Sequence, residues 1–317
     1  MKTNVKVLDC TIRDGGLVNN WDFDVDFVRD LYDSLNAAGV DYMEIGYKNS
    51  PKLVDTEGVG PWRFCEDDFI REVIPEKKNT KLSAIVDIGR VEVDDILPCE
   101  ESSIDLIRVA CYLKDIDKAI DLVEAFNKLG YETSINIMAV SNSLGLGLNE
   151  ALKKVNESPV DMAYIVDSYG SLYNKDIQYL IETFKKYAPN KKLGIHTHNN
   201  LQMAFSNTIF SYEQGVEFLD TSIFGMGRGA GNCPTELILG YLNSTKYDVR
   251  PILRVIENRL LPLREKLEWG YNTAYAITGL FNEHPRSAIA IRKSNAKNNF
   301  LGFYDKLSSV ETHEDIK

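Results

Sequence analysis

Lys192-Leu193-Gly194-Ile195-His196-Thr197-His198-Asn199-Asn200 carries two of the chain's four histidines, two residues apart, at the end of a short apolar run. Side chains alternate along a strand, so His196 and His198 project to one face while Ile195 and Thr197 project to the other. Two imidazoles on one face are either half of a metal site or a hydrogen-bonded pair of core histidines. The choice turns on where this strand lies in the fold.

Seven similar runs share the chain with it. In order they are "VKVLDCT" (5–11), "DYMEIGY" (41–47), "LSAIVDI" (82–88), "DLIRVAC" (105–111), "ETSINIMA" (132–139), "MAYIVDS" (162–168) and, after "KLGIHTH" (192–198), "EFLDTSIF" (217–224). Each is short and rich in β-branched or aromatic residues, the composition of a strand. Amphipathic stretches separate them. Phe27, Leu31 and Leu35 recur at four-residue steps before Gly39, and Ile116, Ile120 and Val123 share a helical face before Gly130. Residues 174–188 repeat the pattern, with Lys185 and Lys186 near the negative end of the helix dipole.

Eight such units predict an α/β fold, a (β/α)8 TIM barrel over residues 1–245. An open doubly wound sheet is the competing topology, but its first strand would lead into G-x-G-x-x-G, and here "RDGGLVNN" follows. After Ser244 the alternation ends. Residues 246–317 read as a helical C-terminal extension, with one helix from Leu253 to Trp269, another stopped before Pro285, and a polar tail from about Ser294 expected to lose order.

The bulk properties narrow the function. A net charge of -11 disfavours nucleic acid and anionic membrane surfaces as partners, while leaving room for an anionic substrate in a cleft lined by a few arginines. The five cysteines are scattered without C-x-x-C spacing and read as reduced core thiols. There is no apolar h-region at the N-terminus and no apolar run of membrane-spanning length, so the cytoplasm is the expected location.

In a TIM barrel the chemistry sits at the C-terminal ends of the strands. His196 and His198 then face the barrel mouth. Strand one ends in "TIRDGG", where Asp14 offers a hard carboxylate and Arg13 a fixed cation; both serve one site if the strand bends at Gly15-Gly16. One carboxylate and two imidazoles suit a divalent Mn, Mg, Zn, Co or Fe ion with open positions. Such an ion can hold a 2-oxo acid and stabilise the enolate at its next carbon, with Arg13 neutralising the same oxyanion. "GMGRGAGN" (225–232) after strand eight is either a phosphate cradle or a tight turn before the helix near Pro234.

Taken in order, "TIRDGG", "VDSYG" (166–170), "HTHNN" and "GMGRGAGN" resemble the metal-dependent TIM-barrel lyases and synthases that include hydroxymethylglutaryl-CoA lyase, isopropylmalate synthase and 4-hydroxy-2-oxovalerate aldolase. The resemblance spans the barrel. It implies that Asp14, His196 and His198 ligate a divalent cation, usually Mn or Mg, that Asn232 lies beside it as a further ligand, and that Arg13 stabilises the enolate. Biotin-dependent carboxyltransferases of the group carry a lysine where this chain has Val166, and isopropylmalate-type synthases a glutamate that the glycine loop lacks. The loop and the "WGYNTAY" segment are most similar to the aldolases, which makes Tyr271 or Tyr275 the implied acid/base. A homodimer is implied by the same likeness.

One departure stands out. The aldolases carry a histidine base in the loop after RDG, whereas "GGLVNNWDF" has none. Asp87, Tyr169 and His284 are the substitutes that the sequence offers. Asp87 also counts, with Asn136 and Arg108, among residues expected to contact substrate, and Glu44 among those near the mouth. The expected function is aldol cleavage or formation beside a pyruvate-type 2-oxo acid, with an aldehyde partner. The alternatives are an acyl-CoA-dependent condensing synthase and a non-catalytic metal-binding barrel acting as a partner subunit.

Overall fold

All eight predicted runs form strands, and parallel pairing of each with the next, and of the eighth with the first, closes them into one barrel. The computed structural model describes the backbone of residues 5–314 and the side chains through residue 309. The first four residues, read above for a leader, and the last three of the polar tail lie outside the described residues.

In chain order the elements are β1 (Lys6–Asp9), α1 (Thr11–Asn19), α2 (Val25–Ala37), β2 (Tyr42–Tyr47), α3 (Asp67–Val73), β3 (Lys81–Asp87), β4 (Leu106–Cys111), α4 (Ile116–Lys128), β5 (Glu132–Ile137), α5 (Leu146–Glu157), β6 (Met162–Asp167), α6 (Asn174–Tyr187), β7 (Lys192–Thr197), α7 (Ala204–Glu213), β8 (Phe218–Thr221) and α8 (Thr235–Leu242). The outward strand residues and the inner helix faces form one apolar layer. Phe27, Leu31 and Leu35 of α2 lie in it, as do Ile107, Ile135 and Ile195 of the strands. The Asp24 carboxylate fixes the start of α2 by accepting the Phe27 N–H at 2.8 Å.

Four expectations change. The "TIRDGG" segment is helix α1, not a bent strand end: β1 stops at Asp9, whose carboxylate accepts the Thr11 N–H at 3.0 Å and turns the chain. Between β3 and β4 there is no α-helix but two short 3₁₀ turns, Val93–Asp95 and Cys99–Glu101, because clustered acids and Pro98 break any apolar period. The helix expected from Leu253 to Trp269 runs instead as α9 (Arg250–Val255), a π turn (Ile256–Leu260) and α10 (Leu261–Arg264). Pro262 lacks the N–H that a regular ladder needs, and the π turn absorbs the mismatch. After α11 (Thr273–Leu280) and α12 (Arg286–Arg292), the supposedly disordered tail forms α13 (Phe300–Glu314), because Phe303 and Leu307 bury against Ala274, Ile277 and Ala288.

Inside the barrel, the bottom is apolar: Leu8, Tyr42, Leu106, Met162 and Phe218 pack together. Above them the lumen turns ionic. Arg108, with no exposed surface, donates to Glu44 at 3.0 Å and to Asp220 at 2.6 Å, and lies 4.3 Å from the centre of the Tyr164 ring. Gly194 makes room for that ring: a Cβ there would sit 2.4 Å from Tyr164 Cε1.

Two changes test this packing. Gly194→Ala must displace a fully buried ring and is expected to cost about 1–3 kcal/mol. Arg108→Met leaves the buried Asp220 carboxylate without a cation and removes one of two from Glu44, an expected loss of about 3–5 kcal/mol. Urea denaturation of each variant measures both. An unchanged midpoint in Arg108→Met would show that the ionic layer contributes nothing to stability.

Candidate active site

The ionic layer continues upward to the barrel mouth. Glu44 accepts from Arg13 Nε at 2.6 Å through its second oxygen, and Arg13 Nη1 donates to Asp14 at 2.6 Å. On the other side, Asp220 faces His196 Nδ1 at 3.0 Å. One buried chain of contacts therefore runs Asp14–Arg13–Glu44–Arg108–Asp220–His196. Helix α1 carries Arg13 and Asp14, and the Trp21 indole ties it down by donating to the Arg13 carbonyl at 2.9 Å.

These contacts fix protonation. Burial alone would raise the Asp14 carboxyl, but Arg13 and the nearby histidines outweigh it and hold the group well below the usual carboxylate range. Burial pushes His196 down despite the opposing pull of Asp220, so the ring is neutral near pH 7. Facing a carboxylate, its Nδ1 carries the proton and Nε2 presents a lone pair. His198 Nδ1 lies 2.9 Å from the Asp167 carbonyl oxygen, which only accepts, so this ring has the same tautomer.

His196 Nε2, His198 Nε2 and Asn232 Oδ1 are all buried without a hydrogen-bond partner. Three such orphans in one place call for a cation. Ligand atoms of Asp14, His196 and His198 lie within 4.8 Å of one another, and Asn232 Nδ2 donates to Asp14 at 2.8 Å, bringing its own oxygen alongside. The donor set is one carboxylate and two imidazoles held from behind, plus an amide oxygen. It fits a divalent cation. Gly227 permits this approach of the glycine loop, since a Cβ there would lie 2.6 Å from Asp14 Oδ2 and 2.5 Å from Asn232 Nδ2.

Arg13, Asp14, His196 and His198 form the floor of a cavity of about 90 Å³. Asn136 lines it as expected; its Oδ1 accepts from Ser134 at 2.7 Å, which leaves its N–H groups to face the cavity. Ser168, Tyr169, Arg228 and His284 also line it. Of the substitutes for the missing loop histidine, Tyr169 and His284 thus reach the site, their rings 5.8 Å apart. Burial, with Arg228 and Arg286 nearby, pushes His284 down to about 4. Its Nδ1 accepts the Arg286 N–H at 3.1 Å, so the neutral ring keeps its proton on Nε2.

Four expected site residues lie elsewhere. Arg108 cannot meet a substrate carboxylate, because it is sealed in the lumen between Glu44 and Asp220. Asp87 does not line the cavity; it pairs with Arg90 at 3.1 Å and Arg63 at 3.8 Å. Tyr271 is 62% exposed, and Tyr275 packs in the small core of the C-terminal helices, its ring against Gly229. Neither tyrosine lines the cavity. Two residues of the site are not singled out by the sequence reading. Asp220 was signalled by its place among the inward residues of "EFLDTSIF", and Arg228 by being the single charge in "GMGRGAGN".

With this geometry in hand, comparison with known proteins is specific. The HMGL-like family profile matches residues 4–256. Oxaloacetate decarboxylase of Mycobacterium tuberculosis is 30% identical over 238 residues, covering 74% of this chain and 69% of the relative. 4-Hydroxy-2-oxovalerate aldolase of Carboxydothermus hydrogenoformans is 27% identical over 100% of this chain and 96% of its own length. Among solved structures, the N-terminal domain of a proposed aldolase from Bacteroides vulgatus superposes with a TM-score of 0.82 at 31% identity, over 92% of this chain and 97% of that one. Hydroxymethylglutaryl-CoA lyase from Pseudomonas aeruginosa shares the fold, with a TM-score of 0.66 at 20% identity over 83% and 95% of the two chains. The profile match over most of the chain, on a barrel that presents this donor set at its mouth, makes the protein a carbon–carbon lyase of the HMGL-like family.

Proposed function

We propose that the protein is a divalent-metal-dependent aldolase that makes or breaks the carbon–carbon bond beside a pyruvate-type 2-oxo acid, with an aldehyde as the second partner. The observation that carries this reading is the convergence of His196 Nε2, His198 Nε2 and Asn232 Oδ1, all buried and unpartnered, on the Asp14 carboxylate. Mn or Mg suits the two oxygen donors best, and the imidazoles also admit Zn, Co or Fe. A bound ion supplies Lewis-acid polarisation of the 2-oxo group.

The chain's own residues do the rest. Arg13 spends Nε on Glu44 and Nη1 on Asp14, which leaves Nη2 to donate to the oxygen on which enolate charge develops. Its own ion pairs hold the guanidinium rigid, so the donor needs no reorganisation. Asn136 orients the acid from the cavity wall. His284, with its proton on Nε2, donates a hydrogen bond rather than removing a proton. Against the condensing-synthase reading, the glycine loop lacks the glutamate of isopropylmalate-type synthases.

A second reading rests on a specific observation: among the described residues, the cavity has no ready base. Asp87 is paired outside it, His284 offers a donor, and burial raises the Tyr169 hydroxyl above its ordinary value. Decarboxylation of a 2-oxo acid bearing a second carboxylate forms the same enolate without abstracting a proton. It is the activity named for the Mycobacterium tuberculosis relative.

Proton exchange at the pyruvate methyl group, followed by NMR in deuterated buffer with and without chelator, separates the two. The aldolase reading expects metal-dependent exchange that falls about 10²–10³-fold in Arg13→Gln. The decarboxylase reading expects pyruvate to form from oxaloacetate without such exchange. Mn-loaded protein that does neither would overturn both.

A further inference from the structure

Arg228 has a charge that the site as described does not use. Its backbone N–H donates to Asp14 at 3.2 Å and its Nη2 to the Ser168 carbonyl at 3.2 Å, which aims the side chain along the cavity wall. Its Nε is buried with no hydrogen-bond partner, and no acid within 4 Å pairs with it among the described residues. The other cavity arginine, Arg13, is neutralised on two sides.

Counting charges makes the surplus specific. The buried ion-paired network holds three carboxylates, Asp14, Glu44 and Asp220, against two guanidinium groups, Arg13 and Arg108. A divalent cation shifts that balance to one positive charge, which the carboxylate of a single 2-oxo acid matches. Arg228 then stands as a further positive charge in the cavity lining, with Tyr169 and His284 in the same lining as hydrogen-bond donors. Arg228 is half-buried and lines the cavity, so the guanidinium N–H groups that no protein atom takes can meet a ligand there, and a carboxylate fits one guanidinium in charge and shape.

We propose that Arg228 receives a second carboxylate on the substrate, so that the compound cleaved or formed is a 2-oxo dicarboxylate, with Tyr169 and His284 donating to the same group. This rests on the 2-oxo acid reading above. It adds that the fragment beyond the broken bond is itself an acid, either a carboxylate-bearing aldehyde or the departing carboxylate.

Calorimetric titration of Mn-loaded protein with two five-carbon ligands tests it: 2-oxoglutarate, which has the second carboxylate, and 2-oxopentanoate, which has a methyl group there. Wild type should bind the dicarboxylate about tenfold or more tightly. Arg228→Gln should reduce that preference below about threefold while leaving 2-oxopentanoate affinity unchanged, and Arg228→Lys should keep part of it. A structural role for Arg228 would weaken both ligands together. Equal affinities in wild type, or a preference that survives in Arg228→Gln, would overturn the assignment. Oxalate serves as the separate control: it mimics the enolate of pyruvate, has no group for Arg228, and its metal-dependent binding stands or falls with the proposed function alone.

Discussion

The interaction on which the site depends is the buried chain of ion pairs from Asp14 through Arg13, Glu44, Arg108 and Asp220 to His196. It crosses the barrel lumen and ends on two residues of the candidate metal site. Every charge in it has a partner of opposite sign. This is the condition under which charges can be buried at all. A barrel filled by aliphatic side chains would pack as well, but it could not hold a carboxylate ionised and an imidazole in a chosen tautomer at its mouth.

The consequence is preorganisation. Asp14 stays charged, and both histidines keep their Nδ1 protons on fixed acceptors and turn Nε2 to the same spot. Arg13 is held between Glu44 and Asp14, so its remaining donor does not have to be ordered when charge develops. The same economy explains why the loop after β8 comes so close. Gly227 lets Asn232 reach the carboxylate, and the loop carries Arg228 into the wall on its way.

Much of this was legible in the sequence, and the failures share a cause. The eight apolar runs give the barrel, and alternation along "KLGIHTH" puts both imidazoles on the inner face. Alternation tells the face of a strand but not the depth. Arg108 and Ala110 both point inward from β4, yet only Ala110 lines the cavity, while Arg108 sits one step deeper among carboxylates. Likewise, helical periodicity shows that residues 273–280 form a helix, but not which face meets the barrel, and Tyr275 turns to the C-terminal helices instead. The "TIRDGG" segment misled for a local reason. Its two glycines argue against a helix, and what stabilises one is supplied from outside it, by the Asp9 carboxylate at its start and the Trp21 indole at its side.

The central claim is that the ion-pair chain presets the donors for a divalent cation. Titration of Mn into wild type and Asp220→Asn tests it most directly, because Asp220 is outside the donor set and joins His196 to Arg108 and the rest of the chain. The account predicts one equivalent bound by wild type and an affinity about 10–100-fold weaker in Asp220→Asn. Wild-type affinity in Asp220→Asn, or no stoichiometric binding by wild type, would contradict it.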